Sequence, residues 1–502
     1  MKASKLLFLL LTSIYFFGCT NTTPTNQLPY DSIPKQPHLV RIQGQVSHLQ
    51  DDFSRRVRLL DDPIGSGFPM EIAIDTLEED GRFTLSTQLD RPREIFFEFN
   101  DRWITLLVAP GDSFQLNFPA DYYNGLHQVY PTLKVSGKGA LKNELMFAFL
   151  NRFNRRFDNN TQLGQRWMMD EEEYLQFWAK AEMDQNNFLD SFLLTQPQSS
   201  PAFEQWARHK IYYDITFALQ EYPQMRKNRR KDAMPLTRAY KDRLKSRKLT
   251  DPTAVGSRAY LRAIESCRID MLKRSPSIFF TSLPMTPISS NDVRRELKKL
   301  QNQTTPLLRE YLSAQYMDCL LEQDHWHSLQ PHYEDVLSTF ADTTVRTYLE
   351  RKRHHLYDTL NLPKPSPQVQ IRMVHPQQPL DQLFEKYYKG KIICLTQWNT
   401  YQPQWGLKNL PAAQKACKEV AFVYIAHHSP PAQWYRKLTS DDYPGDHFLL
   451  SNETYMTIDS LFFHNDRRYP HLLIDRDGII QQGQNWLFGR HLIKALKKLS
   501  NQ

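Results

Sequence analysis

The chain has 502 residues, which is enough for about three domains. Hydrophobic residues make up 40% and charged residues 24%. The chain therefore has enough apolar residues to form buried cores, which excludes a wholly disordered chain. Five cysteines are too few for a disulfide-stapled scaffold. The formal net charge of +8 would suit nucleic acid or a membrane surface, depending on where the charge lies.

Residues 1–19 predict an export signal. Two lysines precede an apolar run over residues 6–17, and the run ends in Gly18 and Cys19. The run of about 12 residues is shorter than the roughly 20 that span a bilayer. The pattern resembles a bacterial lipoprotein signal, which implies that Cys19 becomes the acylated first residue. An ordinary secretory signal or a single membrane anchor is the alternative.

Residues 20–38 are rich in Thr, Asn, Gln and Pro, which is typical of a flexible tether. Export and a lipid anchor predict a protein attached to a membrane of a Gram-negative envelope. No acidic cluster follows Cys19, and we therefore expect the chain to face the periplasm. An exported protein does not meet the nucleoid, so nucleic acid is excluded as a partner.

Residues 39–138 carry short alternating segments separated by turn signals, which predict an antiparallel β-sandwich. The predicted strands are 40–46, 57–60, 71–75, 82–87, 94–99, 103–108 and 113–118. The segment ITLLVAPGDS at 104–113 and the Ser-Gly-Lys-Gly at 136–139 resemble a β domain of the DUF4369 type. Such domains often precede thioredoxin-like modules in envelope lipoproteins. The Gly-Lys-Gly does not have the spacing of a phosphate-binding loop.

Residues 139–375 predict an α-helical region. Apolar residues recur with the helical period at 141–153, 177–193 and 203–219. Within this region, residues 226–248 hold 11 basic and two acidic residues, so the rest of the chain is close to neutral. A solvated helix face is the simpler interpretation. The alternative is contact with anionic lipid or glycan through a basic run: Arg226, Lys227, Arg229, Arg230 and Lys231.

Residues 376–502 change to alternating apolar strands and helices, which indicate an α/β layer. Strands are predicted at 392–395 and 421–426, a hairpin at 470–480 and a closing amphipathic helix at 485–499. With the preceding regions, the chain is expected to be a multidomain α+β protein.

The C-terminal segment resembles a known family. The residues GKIICLTQWNTY at 390–401 are similar to the first strand and active-site approach of the TlpA/ResA group of thioredoxin-like proteins, which are of the AhpC/TSA type. A Trp-led helix at 433–435, Tyr469-Pro470 and the LIDRDGII hairpin at 473–480 follow in the family's order. The resemblance implies a thioredoxin-like fold over the last quarter of the chain.

The sequence departs from the family where its chemistry lies. The Cys-x-x-Cys of the family falls on Gln402, Pro403, Gln404 and Trp405. Dithiol exchange needs a thiolate at a helix N-terminus and a resolving thiol three residues later. Neither glutamine nor tryptophan can attack or hold a disulfide. We therefore expect a degenerate active-site loop with no catalytic residue and no cofactor.

The resemblance also implies a peptide-binding groove. In this family the proline at the position of Pro470 is cis and exposes the backbone of the preceding residue, here Tyr469. With Trp398, these residues would line an edge that pairs with an extended peptide. The alternative is a turn proline that only shapes the fold. The leading hypothesis is thus a binding or scaffolding module for an envelope protein or peptide, and a non-enzymatic role is favoured.

An enzyme is the alternative hypothesis. A thiol-disulfide oxidoreductase could act through Cys394 or Cys417, although buried structural cysteines are the default. A different chemistry at His427 and His428 is the other enzymatic possibility. No metal site is predicted, because the histidines at 325–332 lack the spacing of ligands on one helix face.

Overall fold

A computed structural model gives the fold of the chain. It describes residues 37–501 apart from 50–54, 101, 121–131, 158–165, 167, 230–234, 273–287, 304, 324, 359–368, 374–379, 399–406, 408–409, 428, 442–443, 451–459, 465–466, 469–470 and 482–489. The described part is mixed α+β, with several sheets and 13 α-helices.

Eight strands near the N-terminus form two four-stranded sheets, ordered β4-β1-β7-β8 and β3-β2-β5-β6. The strands are β1 (His38–Ser47), β2 (Arg56–Asp61), β3 (Met70–Thr76), β4 (Arg82–Leu89), β5 (Arg93–Phe99), β6 (Arg102–Val108), β7 (Ser113–Pro119) and β8 (Lys134–Lys138). Buried and exposed residues alternate along β4, as a sheet with one covered face requires. Buried side chains of both sheets belong to one hydrophobic cluster.

One of these sheets differs from the predicted antiparallel arrangement. β1 pairs antiparallel with β4 but parallel with β7, in the register Arg41↔Ser113. The physical reason is connectivity: β6 lies in the other sheet, so the chain crosses between sheets before β7. The prediction of a wholly antiparallel unit is therefore wrong at the β1–β7 pair. Local alternation of apolar residues predicts strands but carries no information about their direction.

The Pro-Gly-Asp turn of the sequence lies between β6 and β7. Asp112 accepts a hydrogen bond from Ala109 N at 2.7 Å, and Gly111 has a φ of +79°, which favours glycine. The same carboxylate forms an ion pair with Lys142 in the first helix, α1 (Ala140–Phe157). Asn143 of α1 also bonds the backbone of edge strand β6 at Leu107 N, 2.8 Å away. The turn thus fixes the sheets to the helices that follow.

The helices form two groups. The first group shares the hydrophobic cluster of the two sheets and consists of α1, α2 (Glu171–Leu194), α3 (Pro201–Arg229) and α4 (Arg238–Lys245). The second group surrounds its own cluster and consists of α5 (Arg258–Leu272), α6 (Ser290–Gln301), α7 (Pro306–Glu322), α8 (Trp326–Leu337) and α9 (Thr343–Tyr357).

The loop between β2 and β3, residues 62–69, enters the second helical group. Ile64 is fully buried in the cluster of α5–α9 rather than in that of the sheets. Gln315 of α7 donates to Ile64 O at 2.7 Å, and Lys352 of α9 donates to Phe68 O at 2.6 Å. The β sheets and the second helical group are therefore held together by a strand connection.

The C-terminal part contains a five-stranded sheet of order β15-β10-β11-β12-β9. Its strands are β9 (Val369–Met373), β10 (Ile392–Trp398), β11 (Val420–Ala426), β12 (Gly445–Leu449) and β15 (His471–Ile474). All neighbours pair parallel except β10 and β15. A two-stranded ribbon, β13 (Phe463–His464) with β14 (Arg467–Arg468), lies outside this sheet. β9 begins at Val369, seven residues before residue 376, where the sequence pattern changes to alternating strands and helices.

Helices α10 (Leu380–Tyr388), α11 (Leu410–Ala416), α12 (Pro431–Asp441) and α13 (Arg490–Ser500) accompany the C-terminal sheet. Two separate hydrophobic clusters include alternate residues of β10, so both faces of the sheet are covered. The predicted hairpin forms at β15, where Asp475 N donates to Ile479 O at 3.1 Å. Within the described residues, no helix is both long and apolar enough to cross a bilayer.

Candidate functional site

The candidate site lies at the carboxyl end of β10, where the sheet leads into the predicted degenerate loop. Trp398 is the last residue of β10 and is 6% exposed, within the hydrophobic cluster on one face of the sheet. His427 follows the adjacent strand β11 and donates its backbone N–H to Trp398 O at 3.3 Å. Parallel pairing of β10 with β11 brings these two strand ends to one edge, which is where open α/β sheets bind ligands.

Strand β15 reaches the same edge from the other side of β10. It begins at His471, directly after the predicted groove residues Tyr469 and Pro470, and pairs His471 with Thr396. The Thr396 hydroxyl and His471 Nδ1 are 2.9 Å apart, and both side chains are buried. Burial lowers the pKa of His471 to about 4, so this imidazole is neutral at neutral pH.

Several predicted site residues lie outside the described part of the chain. These are Cys19, the degenerate loop Gln402, Pro403, Gln404 and Trp405, the groove residues Tyr469 and Pro470, and His428. Of the predicted groove, the structure describes Trp398 alone.

The thiols of the C-terminal sheet are placed poorly for redox chemistry. Cys394 lies within β10 between the neighbouring strands and is fully buried, and burial raises its pKa to about 12. Cys417 follows α11, is also fully buried, and burial raises its pKa as well. A thiol must ionise and be reachable to attack a disulfide. No disulfide joins cysteines in the described part of the chain.

Two histidines of residues 325–332 take part in packing and hydrogen bonding between helices. His332 Nε2 is 2.9 Å from the Ser290 hydroxyl at the start of α6, and His325 is buried just before α8. Among the residues that the structure describes, no group of His, Cys, Asp and Glu could hold a metal ion.

Several arginines of the basic segment 226–248 are paired within the protein, whereas its described lysines are exposed. Arg226 lies 3.3 Å from Glu171, and Arg243 and Arg247 bind the carboxylate of Glu182 at 3.0 and 2.5 Å. Arg247 is buried and lies over the Tyr212 ring, 4.7 Å from its centroid. These arginines thus pack α4 and its flank against α2 and α3. Arg230 and Lys231 lie outside the described residues.

A polar cluster that the sequence analysis did not identify lies between the 62–69 loop and the second helical group. Lys352 of α9 pairs with Glu322 and lies 3.8 Å from Asp318, both on α7. Asp318 also accepts a hydrogen bond from the Ser66 hydroxyl. Burial raises the pKa of Asp318 to about 7, and the nearby Lys352 opposes that effect. The sequence contains one indication of this cluster, because Asp318 and Glu322 are four residues apart and therefore share one face of a helix.

Comparison with known proteins gives limited likeness. No family model and no curated protein sequence matches the chain. A solution structure from Bacteroides vulgatus, named as a thiol-disulfide oxidoreductase, is 24% identical and covers 22% of this chain and 74% of its own, with a TM-score of 0.18. A structure of MTB dsbF is 18% identical and covers 22% of this chain and 84% of its own, with a TM-score of 0.17. Each of these two matches concerns about a fifth of the chain.

Proposed function

We propose that the chain is a lipid-anchored envelope protein whose thioredoxin-like C-terminal unit binds a protein or peptide partner without thiol chemistry. In this proposal the two N-terminal sheets form a β-sandwich of the DUF4369 type, and residues 1–19 are a lipoprotein signal ending at Cys19. The partner would be an extended segment of another envelope protein, paired at the edge where β10, β11 and β15 meet.

The observation that carries the proposal is the state of the thiols. Cys394 and Cys417 are fully buried, and burial raises the pKa of each. Gln402 and Trp405 stand in the sequence where the family has its two cysteines. A unit with an assembled sheet and no reachable thiolate can present backbone and apolar surface to a partner but cannot exchange disulfides.

Site-specific photo-crosslinking in the full chain tests the binding site. A photoreactive amino acid at Gln404 should give discrete crosslinked species in cells that produce the protein. The matched control is Lys389, whose side chain is 79% exposed and which precedes β10, at the opposite end of the strand. Identical crosslinks from both positions, or none from Gln404, would argue against a binding edge at the degenerate loop.

Insulin reduction by the purified full chain tests the absence of thiol chemistry. The expected rate equals that of the dithiothreitol background. An acceleration that disappears in a Cys394→Ser or Cys417→Ser variant would overturn the non-redox proposal and favour the oxidoreductase alternative.

A further inference from the structure

The second basic surface of the chain lies on α13, the last helix. Its sequence RHLIKALKKLS contains three lysines, one arginine and one histidine, and no acidic residue. All five basic side chains are exposed: Arg490, His491, Lys494, Lys497 and Lys498. At 100° per residue these positions fall within a sector of about 120°, and Arg490 to Lys498 span about 12 Å along the axis.

The opposite face of α13 is already occupied. Leu492, Ala495, Leu496 and Leu499 are buried in the hydrophobic cluster of the C-terminal sheet. The helix therefore cannot turn this apolar face toward a lipid phase without unfolding the unit. What it offers to a partner is charge, held in place on a packed helix.

The charge of this face is only partly balanced by nearby carboxylates. No ion pair involves the basic side chains of α13 among the described residues, in contrast to the arginines of segment 226–248. Glu419 is a neighbouring carboxylate: hydrogen bonds from its own backbone N–H and from Ser500 lower its pKa, and the charges of Lys497 and Arg476 lower it further. Asp475 and Asp477 flank Arg476 in the β15 hairpin, and the cations of α13 and its neighbours outnumber these three carboxylates, which leaves a net positive surface.

Neighbouring elements extend the same surface. Helix α11 packs against α13, and the Cys417 thiol after α11 is 4.0 Å from Ile493 O. Lys415 and Lys418 near the end of α11 are exposed. The β15 hairpin adds Arg476, which donates to Ser500 O at 3.4 Å, and Ile479, whose side chain is 60% exposed.

We propose that this surface, formed by the exposed face of α13 with Lys415, Lys418, Arg476 and Ile479, docks on an anionic lipid bilayer. The occupant follows from charge complementarity, since a positive surface with one exposed apolar side chain suits a layer of anionic headgroups. This proposal rests on the proposed membrane anchor, which would hold the surface near such a layer.

Vesicle co-sedimentation of the full chain tests the docking. The probes are neutral phosphatidylcholine vesicles and vesicles in which about a third of the lipid is phosphatidylglycerol. Each cation close to an anionic surface favours binding, so we expect at least about tenfold stronger partitioning to anionic vesicles at low salt, lost at high salt. The N-terminus, with its lysines and apolar run, is the same in every variant, so a change in this ratio between variants isolates the patch.

Two variants that each remove four positive charges show whether the preference for anionic vesicles depends on α13. The variant R490Q/K494Q/K497Q/K498Q should lose the preference for anionic vesicles. The control R238Q/K241Q/K245Q/K248Q removes four charges from exposed positions in and near α4 and should keep it. Equal loss in both variants, or no preference in the unaltered chain, would overturn the proposal. So would a preference for duplex DNA over anionic vesicles that depends on the α13 cations.

The mass of the N-terminal fragment isolated from producing cells tests the anchor separately. An unmodified Cys19 would refute the lipoprotein proposal, whereas the vesicle comparison would still report on α13. A lipidated Cys19 with no charge preference would refute the docking surface alone.

Discussion

Glu265 lies on α5 with its side chain 12% exposed and Arg268 at 3.6 Å. Burial raises the pKa of Glu265 to about 7, and the charge of Arg268 opposes that effect only in part. Burial also raises the pKa of Asp318 on α7. The two carboxyl groups therefore hold protons in the folded chain at pH values where the unfolded chain has released them.

The consequence is a stability that falls as the pH rises. For Glu265 the fall begins near the unfolded pKa of 4.5 and is complete above about 7. One group with this shift contributes about 3 kcal/mol to the change. Glu265→Gln should flatten the slope between these pH values, and urea unfolding at several pH values measures it. Asp318 remains in the variant, so a residual slope is expected; an unchanged slope would contradict the burial of Glu265.

At the scale of elements, the 62–69 loop depends on a close approach that only glycine permits. Gly65 has a φ of +68°, and a Cβ atom there would lie 2.2 Å from Leu261 Cβ. The loop carries Ile64 into the core of α5–α9, so a displacement at Gly65 would loosen the contact between the sheets and the second helical group.

Gly65→Ala should therefore lower the free energy of unfolding by about 2–5 kcal/mol, the sum of a left-handed conformation and overpacking. Gly111→Ala is the matched control, since its φ is +79° and the nearest atom to a new Cβ is the mobile Lys138 Nζ at 3.5 Å. The control should cost about 1–2 kcal/mol. Shifts of the urea midpoint measure both, and equal shifts would rule out the packing argument.

The sequence predicts some strands of the structure and not others. Seven N-terminal strands follow from alternation, and the structure contains a strand at each of those positions. β8, β9 and β12 were not predicted, because each has five residues and carries polar side chains or glycine. The parallel β1–β7 pair and the entry of Ile64 into the helical core are contacts between distant segments, which no local pattern encodes.

Ion pairs between distant segments could not be predicted from the local sequence pattern either. The sequence of residues 226–248 predicts a solvated basic segment. The carboxylates that bind three of its arginines, Glu171 and Glu182, lie on a different helix, α2. The sequence predicts α13 as an amphipathic helix, but the lack of ion pairs on its basic face among the described residues became apparent only with the neighbouring elements in place.

At the scale of the whole molecule, the buried apolar side chains form separate hydrophobic clusters. One belongs to the N-terminal sheets with α1–α4, one to the bundle α5–α9, and two to the C-terminal sheet with its helices. The C-terminal unit contacts the bundle where Arg436 of α12 donates to His355 O. In the proposed function, this contact would hold the binding edge in place relative to the anchor.

The most direct test of the central claim is site-resolved alkylation of the full chain under native conditions at pH 8, followed by mass spectrometry. Cys394 and Cys417 should remain unmodified while half-buried Cys267 reacts faster, and all should react in denaturant. Protection of both thiols is the result that the non-redox account predicts. Rapid native alkylation of Cys394 or Cys417 would contradict it.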